Sequence, residues 1–303
     1  MVFMSAKLLF IFNPASGKAN IKNYLFEIID IFTKEDYDVT VHPTQCQNDA
    51  YNTIVKKAQE NDVIVISGGD GTLNEAVSAM MSFPPEKRKP LGYIPCGTTN
   101  DFAMSRGIPT NALEAAQRIA QGNTFECDIG LFNEKYFTYV AAFGAFTDVS
   151  YDTPQEIKNI FGHAAYVFEG MKKLASIPSY HITLTTDKET VEGKFSLGLI
   201  LNSTRLAGFD LKRIEKESII DLKDGLFEIV LIKRPVTFMQ IQEILNAIIT
   251  GAINENEQVV LIKTTNAHIV SDEEIKWTLD GEFGGAYKEV DMRVINQPIK
   301  FIG

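Results

Sequence analysis

The sequence is poor in cysteine and tryptophan, has no surplus of positive charge, and contains no long apolar run. Its three cysteines, Cys46, Cys96 and Cys127, follow no zinc spacing and cannot all pair, which excludes a disulfide scaffold and fits a reducing compartment, with the cytosol as the expected location. The four histidines show no metal-ligand spacing. No segment approaches the ~18 apolar residues that cross a bilayer, so any membrane contact is expected to be peripheral. The opening MVFMSAKLLFIFNP has too short an apolar core, and no basic stretch before it, for a leader, and reads as a first strand. A net charge of −10 disfavours nucleic-acid binding, which needs a basic face for counterion release. It also argues against docking on anionic lipid through net charge. A GxxxxGK[ST] phosphate loop is absent as well.

What is present is a chain of 303 residues, long enough for two domains, with an ordinary 45% hydrophobic and 22% charged content. It is organised around Asp62 to Met81, DVIVISGGDGTLNEAVSAMM. Val63 to Ile66 reads as a strand buried on both faces, and Thr72 to Met81 as a helix with apolar residues at 73, 76, 77 and 80. The glycine-rich turn between them opens a helix whose first N–H groups lack partners, a natural anion site. Asp70 in that turn would repel a polyphosphate unless a cation lies between them, which points to a magnesium nucleotide; a plain turn with a capping Asp is the alternative.

Two further strand ends carry similar turns. Lys7 to Phe12 leads into Asn13, Pro14, Ala15, Ser16, Gly17 and Lys18 and then a helix with apolar residues at 21, 24, 25, 28 and 32. Leu91 to Ile94 leads into PCGTTNDF, with Gly97, Thr98, Thr99, Asn100 and Asp101 in sequence. Between them Tyr37 to His42 alternates as a strand, Thr44 follows in a loop, and a helix is expected over Ala50 to Gln59. Successive strand and helix units imply a parallel sheet with right-handed crossovers, whose ligands sit beyond the carboxyl ends of the strands. All these turns fall at that edge.

From Phe125 onward, after a helix expected over 113–121, the pattern changes to short alternating segments at 135–142, 180–185, 194–202, 226–232, 259–263, 268–271, 275–279 and 289–295, an antiparallel signature. Helices are expected around 163–175 and 237–249. Domains are therefore expected over 1–127, 128–290 and a tail, 291–303, that returns to the first. KWTLDGEF places Asp280 and Glu282 on either side of Gly281; in a continuing strand they would share a face, whereas Asp-Gly also suits a hairpin turn. Asp221 and Asp224 are spaced for one loop, either a hard-cation site or a turn.

Carboxylates at Asp70, Asp101, Asp280 and Glu282, hydroxyls at Thr72, Thr98 and Thr99, and glycines at three strand ends suit phosphoryl transfer, which asks for positioning, magnesium and one base. NPASG at 13–17, GGDGTLNE at 68–75, PCGTTNDFA at 95–103, CDIG at 127–130, DGLFEIVLI at 224–232 and LDGE at 279–282 together resemble, in order and spacing, the bacterial soluble diacylglycerol kinase family. The resemblance covers essentially the whole chain. It implies an ATP- and Mg²⁺-dependent lipid kinase with a Rossmann-like α/β nucleotide domain, an antiparallel β-sandwich domain and an active site in the cleft between them. By similarity Asp280 would be the general base. Asn13, Pro14, Ala15, Ser16, Gly17, Thr44, Gly69, Asp70, Gly71, Thr72, Leu73, Asn74, Glu75, Thr98 and Glu282 would line the nucleotide site. Asp70 and Asp101 would belong to the catalytic magnesium network, and Asp221, Asp224 and the Leu226 carbonyl to a structural magnesium loop. Asp128 and Lys172 match charged positions near the site.

The segment NSTRLAGFDLKRIEKESII departs from the family, where many members have a Gly-Gly pair and a proline, and this bears on the lipid. Diacylglycerol is the expected acceptor and phosphatidic acid the product. The alternatives are a sphingoid, ceramide-like or other glycerolipid acceptor, then an NAD kinase sharing the glycine turn, then a catalytically silent nucleotide- or lipid-binding regulator. The expected partners are a lipid at a membrane surface and a second copy in a homodimer.

Overall fold

The structure, a computed structural model, describes residues 5–17, 20–144, 178–203, 205–206, 209–210, 224–235, 237–250 and 256–303. The expected helix at 163–175, Lys18, Lys172, Asp221 and most of the divergent segment at 203–220 lie outside the described residues. The chain divides into two units, Met1–Ile129 with Ile295–Gly303, and Gly130–Val294.

Unit 1 is built from β1 (Ala6–Phe12), β2 (Tyr37–Pro43), β3 (Val63–Gly68) and β4 (Leu91–Pro95), alternating with α1 (Leu25–Lys34), α2 (Asp49–Lys57), α3 (Asp70–Met81), α4 (Asp101–Arg106) and α5 (Ala112–Ala120). The strands run parallel in the order β2-β1-β3-β4, and the end of the chain's last strand joins β4, with Phe301 opposite Leu91. Both faces of such a sheet are covered, which is why every residue of β3 and β4 is buried and why VIVIS carries no alternation. The helices answer with single apolar stripes, Ile28 and Phe32 on α1 and Ala112, Ala115, Ala116 and Ile119 on α5, packed with Leu8, Phe10, Val65 and Ile94 in one core. The strand order reverses direction between β1 and β3, and the crevice at that switch point is where open α/β sheets bind ligands.

Two expected helices start at other residues than their apolar patterns suggest. The helix anticipated from residue 21 is a short 3₁₀ turn, Asn20–Asn23, followed by α1, and α3 begins two residues earlier than its apolar pattern, at Asp70. The reason at α3 is that the first turn of a helix needs no apolar residue, so periodicity starts late.

The remaining strands are β5 (Thr124–Phe132), β6 (Lys135–Phe137), β7 (Val140–Gly144), β8 (Tyr180–Thr186), β9 (Thr190–Leu201), β10 (Arg205–Leu206), β11 (Phe209–Asp210), β12 (Phe227–Lys233), β13 (Val259–Thr264), β14 (Asn266–Leu279) and β15 (Glu282–Ile302). A helix, Phe238–Thr250, separates β12 from β13. In unit 2 the pairings are antiparallel. The long strand β9 pairs β8 through its first half and β7 and β12 through its second, while β14 pairs β8 early and β7 late. These pairings close a circuit, β7-β9-β8-β14, so the sheet wraps around its core rather than lying flat. Trp277 fills that core, its ring centroid 4.8 Å from Phe143 and 5.0 Å from Phe132, both edge-on.

The two segments expected at 268–271 and 275–279 form one strand, β14, with a register shift between Val270 and Ile275 that leaves the acidic Asp272–Glu274 out of regular pairing. Conversely, the single strand expected over 135–142 is broken between β6 and β7 at Thr138 and Tyr139. The cause of that break is the carboxylate of Asp280.

Candidate active site

In unit 1 three turns meet at the switch point. After β1, the Asn13 N–H donates to the Ser67 carbonyl (2.8 Å), its amide donates to Thr72 Oγ1 (3.3 Å), and its Oδ1 accepts from the Ala15 N–H (2.9 Å). Asn13 thus fastens the 13–17 turn to both β3 and α3. Gly17 has φ +55°, and a Cβ there would collide with the Cys96 carbonyl oxygen; a Cβ at Gly97 would lie 2.6 Å from the Gly69 Cα. Only glycines let the 13–17, 68–71 and 95–100 backbones approach this closely. Asn100, in the left-handed region, closes the third turn by accepting from the Gly97 N–H (2.8 Å) and donating to the Gly97 carbonyl (3.0 Å).

The carboxylates here are held by the helix starts. Gly69 is the N-cap of α3 with no side-chain cap, so Asp70 is the first helical residue rather than the capping one, and Asp101 holds the same place in α4. Both are buried, and Asp70 Oδ2 accepts from the Thr99 hydroxyl at 3.4 Å. Tyr93, fully buried, donates to the Gly68 carbonyl (3.1 Å); burial first, and Asp70 second, hold its phenol well above the usual range, so it stays a neutral donor. Burial likewise raises the Cys96 thiol, which receives a hydrogen bond from Ser67, so it is inert filler beside the turn. Two buried carboxylates with hard oxygens suit Mg²⁺, which keeps waters and substrate phosphates in its shell. Among the described residues no three His, Cys, Asp or Glu side chains converge into an all-protein metal cage.

The other residues expected to line the nucleotide site are placed as follows. The Leu73 side chain is fully buried in the core, leaving only its backbone for a ligand. The Glu75 carboxylate turns to α2, accepting from the Asn48 N–H (2.8 Å) and the Ala50 N–H (3.2 Å). Thr44 is tied to the end of β1 through its N–H and the Phe12 carbonyl (2.9 Å), and Thr98 is exposed. Asn74 accepts from the Ser78 hydroxyl (3.4 Å), while Pro14, Ser16 and Gly71 are half-buried at the turns. Asp128, fully buried, accepts from the Gln297 N–H (3.0 Å).

In unit 2, Asp280 and Gly281 are a two-residue hairpin turn between β14 and β15, with φ +50° and +82°. The Asp-Gly hairpin reading is therefore the one the backbone shows. The turn also separates the pair: Asp280 is 4% exposed whereas Glu282 is on the surface, so the two do not share a face. Asp280 Oδ1 accepts from the Tyr139 and Val140 N–H groups (2.9 and 3.1 Å) and Oδ2 from the Thr138 N–H and hydroxyl (2.7 and 2.9 Å). Those N–H groups are diverted from the ladder, which is why the strand breaks. Of the Asp221–Asp224–Leu226 loop, the described part is a turn in which Asp224 Oδ1 accepts from the Leu226 N–H (3.0 Å). Sequence reasoning missed Thr138 and Asn202, because a threonine and an asparagine at a strand end carry no motif.

Residues 7–132 match the diacylglycerol kinase catalytic domain. The chain is 31% identical to a diacylglycerol kinase of Bacillus subtilis over 91% of its own length and 89% of that protein. It is also 31% identical to one of Staphylococcus carnosus, over 91% and 88%. It belongs to the diacylglycerol kinase family. A crystal structure described as a diacylglycerol kinase from Bacillus anthracis superposes with a TM-score of 0.76 over 98% of this chain and 97% of that one, at 22% identity, so the two share a fold. In this diacylglycerol kinase family member the three turns of unit 1 lie inside the matched catalytic domain, whereas Asp280 lies beyond it and is covered by the whole-chain relatives.

Proposed function

We propose that the protein transfers the γ-phosphate of ATP to the free hydroxyl of a lipid, diacylglycerol, giving phosphatidic acid. The observation that carries this reading is the convergence of three glycine-bearing turns at the switch point of unit 1, with two buried carboxylates at their helix starts. That is a phosphate cradle provided with acids for a cation. The relatives named diacylglycerol kinase supply the acceptor class.

In this reading the 13–17 turn and the uncapped first turn of α3 bind the phosphates through backbone N–H groups, and Asn13 keeps the two turns in register. Asp70 and Asp101 would hold Mg²⁺, which when bound neutralises charge on the transferring phosphoryl group. Asp280 is the base: it takes the proton from the lipid hydroxyl as that oxygen bonds to the γ-phosphorus and the bond to ADP breaks. Asp224 and Leu226 would belong to a second, structural cation loop. Among the described residues no helix is long and apolar enough to cross a membrane, and we place the meeting with lipid at a membrane surface.

The test is transfer of labelled phosphate from ATP with Mg²⁺ to diacylglycerol, monoacylglycerol, sphingosine, ceramide, undecaprenol and NAD, with wild type and Asp280→Asn side by side. Label is expected on diacylglycerol, falling by about 10²–10⁴-fold in the variant. Label on another lipid would keep the chemistry and change the acceptor, and label on NAD alone would overturn the lipid reading.

A further inference from the structure

We propose that Thr138 is a positioning residue for Asp280: its hydroxyl orients the carboxylate and sets the pH at which it can accept a proton. The inference rests on the reading of Asp280 as base. Among the described residues, donors to that carboxylate include the backbone N–H groups of Thr138, Tyr139 and Val140, at the break between β6 and β7, and the Thr138 hydroxyl. Unlike those N–H groups, the Thr138 hydroxyl, 2.9 Å from Oδ2, can rotate. Hydrogen bonds to the ionised form favour it, so the hydroxyl helps keep Asp280 charged, and its rotation frees a lone pair on Oδ2 for the incoming proton.

The position is built rather than incidental. Thr138 is fully buried, and its carbonyl accepts from the amide of Asn202, itself 2% exposed, at 3.1 Å. The Asn202 N–H in turn donates to the Tyr139 carbonyl at 2.9 Å. Asn202, at the end of β9, thereby fixes the peptide units on which the donors stand. Among the described residues, titratable groups beside the turn include the Tyr139 phenol, 3.7 Å from where a Gly281 Cβ would be, Glu282 on β15, and Lys135 on β6, whose ammonium donates to the Gly284 carbonyl (2.6 Å).

The experiment is the pH dependence of kcat/KM for diacylglycerol in wild type, Thr138→Val and Thr138→Ser, with Asp280→Asn as control and thermal melting to confirm folding. Thr138→Val keeps the volume and loses the donor, so the acidic limb should move to higher pH by about half a unit or more, and Thr138→Ser should restore it. A Thr138→Val enzyme that is slower with its acidic limb unmoved, or a Thr138→Ser enzyme that behaves like Thr138→Val, overturns the proposal while leaving the base in place. If Thr138→Val fails to fold, Thr138→Ala carries the same comparison. Full activity of Asp280→Asn would instead remove the base reading itself.

Discussion

At the scale of single residues the least expected group is Glu228. It stands on β12 with 1% exposure, Lys263 on β13 is 3.6 Å away, and burial, offset by Lys263 and reinforced by Asp224, pushes its carboxyl from 4.5 up to about 7. A carboxyl whose folded-state value is raised binds more protons folded than unfolded between those two pH values. Stability therefore falls as pH rises from about 4.5 to 7, by about 3 kcal/mol for a shift of this size. Glu228→Gln should flatten that part of the stability profile and melt higher than wild type at pH 8, in melting curves taken from pH 4 to 8. Nothing in the string DGLFEIVLI distinguishes this buried glutamate from an exposed one, since alternation is lost where both faces are covered. Asp280 was legible as a functional candidate because Asp-Gly within LDGE has a motif, but its burial and its donors on Thr138, Tyr139 and Val140 were not, because those residues lie about 140 positions away.

At the scale of elements, periodicity served well wherever one face of a helix meets a core. The central strand and α3 were legible from VIVI and the apolar positions at 73, 76, 77 and 80. What periodicity cannot show is where a side chain spends its polar end. Asn48, at the start of α2, has left-handed backbone and provides no side-chain cap, so the orphan N–H groups of Asn48 and Ala50 go to Glu75 on α3. That couples the loop after β2, with Thr44 in it, to the helix of the glycine-rich turn. Glu75→Ala should cost about 1–2 kcal/mol in denaturant unfolding and raise KM for ATP more than it lowers kcat, whereas Glu75→Gln, which keeps an acceptor, should lie between. The break between β6 and β7 is the same lesson in a sheet: the alternation of KYFTYVAA predicts one strand, and a carboxylate from elsewhere claims the N–H groups at its middle.

At the scale of the whole molecule, the last residues of the chain complete the first sheet. Phe301 pairs beside Leu91 on β4, is fully buried, and stacks on Phe125 at 5.6 Å and against Phe102 at 5.3 Å. Phe301→Ala should destabilise by about 3–5 kcal/mol, read as a lower midpoint in urea unfolding, although the residue lies far in sequence from everything it supports. By itself the sequence determined the α/β class, the parallel sheet of successive strand and helix units, the glycine turns at strand ends and the resemblance to the family. Each of these is written in neighbouring residues, where chain geometry and hydrophobic period act directly. Tertiary structure alone decided that Gly17, Gly69 and Gly97 face one another, that Glu75 caps another helix, that Asp280 is gripped by Thr138, Tyr139 and Val140, and that Phe301 returns to β4. Those are meetings between distant segments, set by packing and by the need of buried polar groups for partners, which no local pattern encodes.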